Sequence, residues 1–166
     1  MKLMHASLAA VVVVTGVLLN VTDAHATWSR VHASGCFPLL QNNIPSSPAF
    51  WINSNWTMEN IDLSTNELMC PVSDTSTLQR FQYKTVNVET WASGGVSAAL
   101  CEDQWNGSGG SCTNLVGTNG SGHQTIFLGG LVGTNGTWTQ ALEGNFGFIY
   151  LKVGSGSEVR GFFFST

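Results

Sequence analysis

Basic residues are scarce in this chain: six Lys and Arg stand against ten Asp and Glu in 166 residues, a net charge of −4. With no basic stripe there is no release of condensed counterions to drive association with a phosphate backbone, which excludes nucleic acid as a partner. Charge of either sign is sparse, at 10% of residues, yet 43% are hydrophobic, so the chain does not belong to the charged, apolar-poor class that stays disordered. Its 19 glycines show no every-third-residue period, which excludes collagen. Sustained apolar repeats at helical spacing are missing as well, and apolar and polar residues alternate instead.

Long hydrophobic runs are missing except at the start. Leu8 to Leu19 is broken by Thr15 and Gly16 and falls short of the roughly 20 residues needed to span a bilayer. With Lys2 before it and Ala24-His25-Ala26 after it, the run reads as a cleaved signal peptide over residues 1–26, leaving one domain over 27–166. Cleavage removes Lys2 and Asp23 together, so the charge balance is unchanged. The lack of Cys at the cleavage point argues against a lipid anchor. The reading is a secreted or extracytoplasmic protein with no membrane span, at the cell surface or in the periplasm; the strand segments are too short for an outer-membrane barrel.

The four cysteines, all downstream of the leader, read as two disulfides in an oxidising compartment. Three pairings are possible. Cys36 with Cys70 and Cys101 with Cys112 is favoured, because the Gly107-Ser108-Gly109-Gly110-Ser111 stretch lets the chain turn back between the second pair.

Alternation predicts strands at Tyr83 to Trp91, Val96 to Cys101, Thr125 to Leu128, Trp138 to Leu142, Phe146 to Val153 and Glu158 to Phe164. Phe146 to Val153 is the most evenly apolar and fits a central position. Residues from Phe37 to Pro48 read as an irregular loop. About eight to ten short strands with turn signals between them predict an all-β fold, an antiparallel β-sandwich of jelly-roll type. The hexapeptide Leu-Val-Gly-Thr-Asn-Gly, at Leu115 to Gly120 and again at Leu131 to Gly136, reads as two hairpin turns of the Asn-Gly kind, since two copies are too few for a solenoid.

The motifs of catalysis are also wanting. No Gly-x-Ser-x-Gly elbow and no phosphate-cradling glycine motif occurs, so no nucleotide cofactor is expected. After residue 26 only His32 and His123 remain, too few for a zinc site of familiar spacing, and no metal is assigned. Glu102, Asp103 and Asn106 would suit calcium chemically, but the twelfth position counted from Glu102 is Thr113, which fails the EF-hand spacing. Glu102-Asp103 is the one adjacent acidic pair available to a glycosidase; on a strand its members would face opposite ways.

What is present is an aromatic set among amides and carboxylates. In Asp103-Gln104-Trp105-Asn106 a rigid indole can cover the apolar face of a sugar while the polar neighbours hydrogen-bond its hydroxyl rim. Trp56 and Trp138 offer the same two readings, sugar contact or packing, whereas Trp28, Trp51 and Trp91 read as core or strand residues.

The early Cys36, the segment Ile61 to Val72 ending in Cys70-Pro71-Val72, the strand Thr85 to Thr90, Cys101, and Phe148-Ile149-Tyr150-Leu151 give a further pointer. With the leader, they make the chain resemble a group of small secreted bacterial proteins, many of them myxobacterial. The resemblance spans most of Cys36 to Phe164. It implies a β-sandwich with two disulfides and brings no activity with it. One departure is Lys152, where that group tends to carry a Cys; here Cys112 supplies the fourth thiol.

The sequence therefore points to a non-catalytic exported β-sandwich that binds an extracellular glycan or a cell-surface component through Asp103, Gln104, Trp105 and Asn106. The rival readings are a structural envelope or matrix protein without a small-molecule ligand, and a small glycoside hydrolase using Glu102 or Asp103.

Overall fold

The computed structural model describes residues 28–39, 50–72, 82–104, 110–128, 138 and 145–166. In chain order the elements are β1 (Trp28–His32), a 3-10 turn (Ala33–Gly35), β2 (Phe37–Pro38), β3 (Phe50–Ile52), β4 (Met58–Asn60), β5 (Asn66–Val72) and β6 (Thr85–Ala92). They continue with β7 (Val96–Gln104), β8 (Ser111–Cys112), β9 (Val116–Gly117), β10 (Gly122–Phe127), β11 (Asn145–Val153) and β12 (Glu158–Ser165). The leader segment lies outside the described residues.

The fold is an antiparallel β-sandwich. The front sheet has the order β10-β6-β12-β4-β3, with β1 sharing the β4 side of β12; the back sheet has the order β2-β5-β11-β7-β8, with β9 also on β7. Alternation builds the core between them. Val86, Val88, Phe162 and Phe164 from the front sheet meet Leu68, Leu100, Ile149 and Leu151 from the back sheet, all buried. Fully burying an aliphatic side chain of this kind stabilises by about 1.5–3 kcal/mol. β11 is central as its even apolar content predicts, flanked by β5 and β7 over its length.

Several sequence expectations are corrected at the edges. Phe37 and Pro38 are strand rather than loop, paired with Met69 and Leu68. The hexapeptide at Leu115 is no Asn-Gly hairpin turn: Val116 and Gly117 pair with β7, and the positive φ falls on Gly122 rather than on Asn119. Its second copy lies outside the described residues. Trp138 carries no strand pairing, and residues 139–142 are not described. Both favoured disulfides are present, Cys36–Cys70 and Cys101–Cys112, the bonding expected of an oxidising compartment. Among the described residues no helix is long and apolar enough to cross a membrane.

Two turns carry the chain between the sheets side by side, Ser93–Gly95 from front to back and Gly154–Ser157 from back to front. Their backbones touch: a Cβ on Gly154 would lie 2.1 Å from the Gly94 carbonyl oxygen, a distance only glycine can accommodate. The buried Ser157 Oγ accepts hydrogen bonds from the backbone N–H groups of Ser93 and Gly94, each at 2.9 Å. Asn60, also buried, donates through Nδ2 to Val153 O at 2.7 Å and to Ser64 O at 2.8 Å. Ser157→Ala would remove the buried acceptor shared by two backbone N–H groups of exposed turn residues and is expected to cost about 1 kcal/mol in urea unfolding, with the slope of the transition unchanged.

Candidate functional site

The outer face of the front sheet holds much of what little charge this chain has. Downstream of residue 26 the cations are Arg30, Arg80, Lys84, Lys152 and Arg160; Arg30 and Arg160 both lie here, as do both histidines, His32 and His123. Register places the side chains in rows across the strands. His123, Trp91, Glu158, Glu59 and Trp51 follow one another from β10 to β3. The next row runs Thr125, Glu89, Gly161, His32, and the one after it Phe127, Asn87, Phe163, Arg30.

A β-bulge shapes the middle of this face. Val159 pairs with Thr90 and Gly161 with Glu89, so Arg160 is the extra residue and has no partner on β6. The insertion resets the alternation, which is why Val159, Phe162 and Phe164 all point inward at spacings of three and two. It also turns Arg160 outward, with its guanidinium 5.2 Å from the Trp91 ring centroid and its Nε 3.5 Å from Glu158 Oε2. On the far side, the Arg30 guanidinium stands 5.7 Å from the Phe163 ring centroid. Stacking of this kind holds each guanidinium against an aromatic face.

Between these two supported arginines, over Gly161, is an open cavity of about 380 Å3, lined by Arg30, Val31, His32, Glu89, Arg160, Gly161 and Phe162. The missing side chain at Gly161 provides its floor. A Cβ there would sit 2.8 Å from the Val31 carbonyl oxygen, so β1 can close on β12 only over glycine. Glu89 is engaged on the opposite side. Thr125 Oγ1 lies 3.1 Å from both of its carboxylate oxygens, and His123 Nε2 lies 3.1 Å from Oε2. On the same outer face Trp51, Trp91 and Phe127 are 61%, 45% and 59% exposed. Trp51 and Trp91 are thus strand residues, but they face solvent and are not core.

The residues singled out in the sequence lie elsewhere. Asp103 is near the end of β7 in the back sheet, opposite Phe146, and a Cβ on Gly110 would come within 3.1 Å of its Cγ. Gln104 ends that strand. Trp105 and Asn106 lie outside the described residues, so the proposed set is not seen assembled. Glu102 is buried and, one residue along the strand from half-buried Asp103, faces the other way, so the two do not flank a common point. Trp138 is core: it is fully buried, and its Nε1 donates to Cys101 O at 2.8 Å. Trp56 is 65% exposed, with a φ of 59° in the turn joining β3 to β4. No group of three His, Cys, Asp or Glu suited to a metal occurs among the described residues.

Sequence reasoning missed the front-sheet face because its residues come from strands far apart in the chain. One local signal did exist: Arg160-Gly161 inside an otherwise apolar strand, where a glycine marks a bulge or a close backbone approach.

The back sheet presents a different outer surface, where Phe146 and Phe148 stack at 5.8 Å. Beside them, burial and a hydrogen bond to Glu67 push the Tyr150 hydroxyl above the ordinary tyrosine range.

No protein-family model matches the chain, and no curated protein matches it. Among solved structures it is similar to the Podospora anserina GH26-CBM35 β-(1,4)-mannanase, at 9% identity and a TM-score of 0.44, over 84% of this chain and 28% of that one. It is also similar to the family 11 carbohydrate-binding module from Clostridium thermocellum in complex with a β-1,3-1,4-mixed-linked tetrasaccharide. There the identity is 10% and the TM-score 0.39, over 82% of this chain and 87% of that one. A third is TmCBM61 in complex with β-1,4-galactotriose, at 13% identity and a TM-score of 0.35, over 83% of each chain. Likenesses at this level assign no ligand to the present chain.

Proposed function

We propose that this protein is an exported, non-catalytic glycan-binding module and that the outer face of the front sheet is its contact surface. The observation that carries the reading is the cavity over Gly161, bounded by guanidinium, carboxylate and imidazole groups, on a sheet face that also bears exposed indoles. Sugars present apolar C–H faces and hydroxyl rims, and this face offers a counterpart to each: Trp91 and Trp51 for the former, Glu89, His32 and the two arginines for the latter. The site is also rigid. Its groups stand on paired strands, and aromatic stacking limits the rotamers of both arginines, so less side-chain entropy is lost on binding. Export through cleavage after Ala26 accords with the two disulfides. Asp103, Gln104, Trp105 and Asn106 are a separate candidate site whose participation is part of the same proposal.

Affinity electrophoresis of the secreted chain against a panel of polysaccharides tests this. Trp91→Ala is expected to weaken retention about tenfold, since stacked aromatic contacts contribute on the order of 1–1.5 kcal/mol, with the melting temperature nearly unchanged. Retention that is lost on Trp105→Ala and unaffected by Trp91→Ala would move the site to the loop. Failure to retain any polysaccharide would remove the glycan reading.

A further inference from the structure

We infer that the glycan bound on this face is an extended, neutral, equatorially linked chain lying across the strands from Trp91 to Trp51; this rests on the glycan reading above. Register puts the two indoles in one row. Trp91 on β6 is opposite Glu158 on β12, Glu158 is opposite Glu59 on β4, and Glu59 is opposite Trp51 on β3. All four point outward, because their strand neighbours Ala92, Val159, Met58 and Phe50 are buried. Three strand spacings, about 14 Å, separate the tryptophans. An equatorially 1,4-linked pyranose advances along its chain by close to one such spacing, so rings over Trp91 and Trp51 bracket two rings over the carboxylates. A single sugar reaches one indole only. The twist of the sheet turns each strand by about 20–25° on its neighbour, a rotation that a lone chain takes up at its glycosidic bonds. An axially linked chain curls and leaves the row. β10 and β3 are the outermost strands in the order of the front sheet, so the row opens at both ends and a long chain can continue past either indole.

Charge sets the second part of the selection. Glu158 is already engaged: Thr57 Oγ1 donates to its Oε2 at 3.3 Å, and Arg160 Nε stands 3.5 Å from the same oxygen. Glu59 is half-buried, and among the described residues no donor or cation meets its carboxylate. A carboxylate offers acceptors only, and the hydroxyls of a sugar held between the two indoles satisfy them with charge-assisted hydrogen bonds. A uronate in the same place would set its own carboxylate against Glu59. The Trp91 end of the row is held in place as well, since the Arg160 guanidinium stacks 5.2 Å from its ring centroid.

The test is calorimetric titration of the secreted chain with cellohexaose and mannohexaose, the β-1,4-linked uronate hexamer of each configuration, and maltohexaose as the axially linked counterpart. The better neutral β-linked hexamer is expected to bind about tenfold more tightly than its uronate counterpart and than maltohexaose. Along its own series, affinity should climb with length until the tetrasaccharide spans both indoles. Trp51→Ala should lower hexasaccharide affinity about tenfold, to the level of the disaccharide, at an unchanged melting temperature. Glu59→Gln should lower affinity for the neutral hexamer about threefold and raise it for the uronate by as much. A disaccharide that binds as tightly as the hexasaccharide, or a uronate as tightly as its neutral counterpart, would overturn the inference and leave the glycan reading standing. So would maltohexaose matching the β-linked chains, or retention of other polysaccharides with none of these probes bound. Failure to retain any polysaccharide would remove both.

Discussion

Replacing Cys36 and Cys70 together by alanine is expected to lower stability by about 4 kcal/mol and the melting temperature by about 15 °C. The bridge spans 34 positions and ties the segment after β1, through the 3-10 turn, to the central part of β5. It thereby pins the start of β2 to its neighbour β5 in the back sheet, just after the turn that leads out of β1. In the chain-entropy account, the stabilisation comes from the unfolded ensemble and grows with the logarithm of the loop closed. Cys101–Cys112 closes only 11 positions and joins residues already opposite each other in adjacent strands, so its removal should cost about 3 kcal/mol. Against the 5–15 kcal/mol typical of a folded domain, the first loss brings the sandwich close to its folding threshold. Denaturant titration of the two double variants gives the comparison. A larger effect for Cys101/Cys112 would show that native-state contacts, not loop length, set the contribution of these bridges. Since β1 carries Arg30 and His32, the Cys36/Cys70 variant should also lose affinity for polysaccharide, while the Cys101/Cys112 variant should keep it.

The sandwich was legible in the sequence because it is written locally. In β6, Val86, Val88, Thr90 and Ala92 alternate with Asn87, Glu89 and Trp91, and the structure buries the first set and turns the second outward. β11 and β12 follow the same logic, and the glycine-rich span after Cys101 identified its partner. The short strands β1, β3 and β4 escaped notice because three to five residues cannot display a period; their pairing with β12 and with each other makes them strands. The outer face of the front sheet was hidden for a related reason. Trp51, Trp91, Glu89 and Arg160 are each unremarkable locally, and only the strand order brings them together. The tryptophans show how little composition reveals about direction. Trp91 lies in a clean alternating strand and reads as core until one sees that its phase is that of Asn87 and Glu89, the polar face.

Trp138 gives the opposite case and the last expected result. Its surroundings, Asn135-Gly136-Thr137 before it, look like an exposed turn, yet the indole is completely buried, 6.5 Å from the Phe164 ring and hydrogen-bonded to Cys101 O. It closes the core between β7 and β12, and it satisfies the carbonyl of a residue whose side chain is committed to a disulfide. Trp138→Ala is expected to destabilise by about 3–5 kcal/mol, the range for emptying a buried aromatic site. Trp138→Phe separates the two contributions. It restores most of the apolar volume but leaves the Cys101 carbonyl without its donor, which by itself should cost about 1–3 kcal/mol. Urea unfolding of both variants, with polysaccharide retention measured under native conditions, distinguishes structural from functional roles. If Trp138 is a packing residue, the folded Phe variant retains wild-type affinity, whereas Trp91→Ala loses affinity at unchanged stability. A Phe variant as stable as the wild type, yet unable to bind glycan, would return Trp138 to the list of sugar contacts and shift the binding surface from the front sheet to the end of the sandwich.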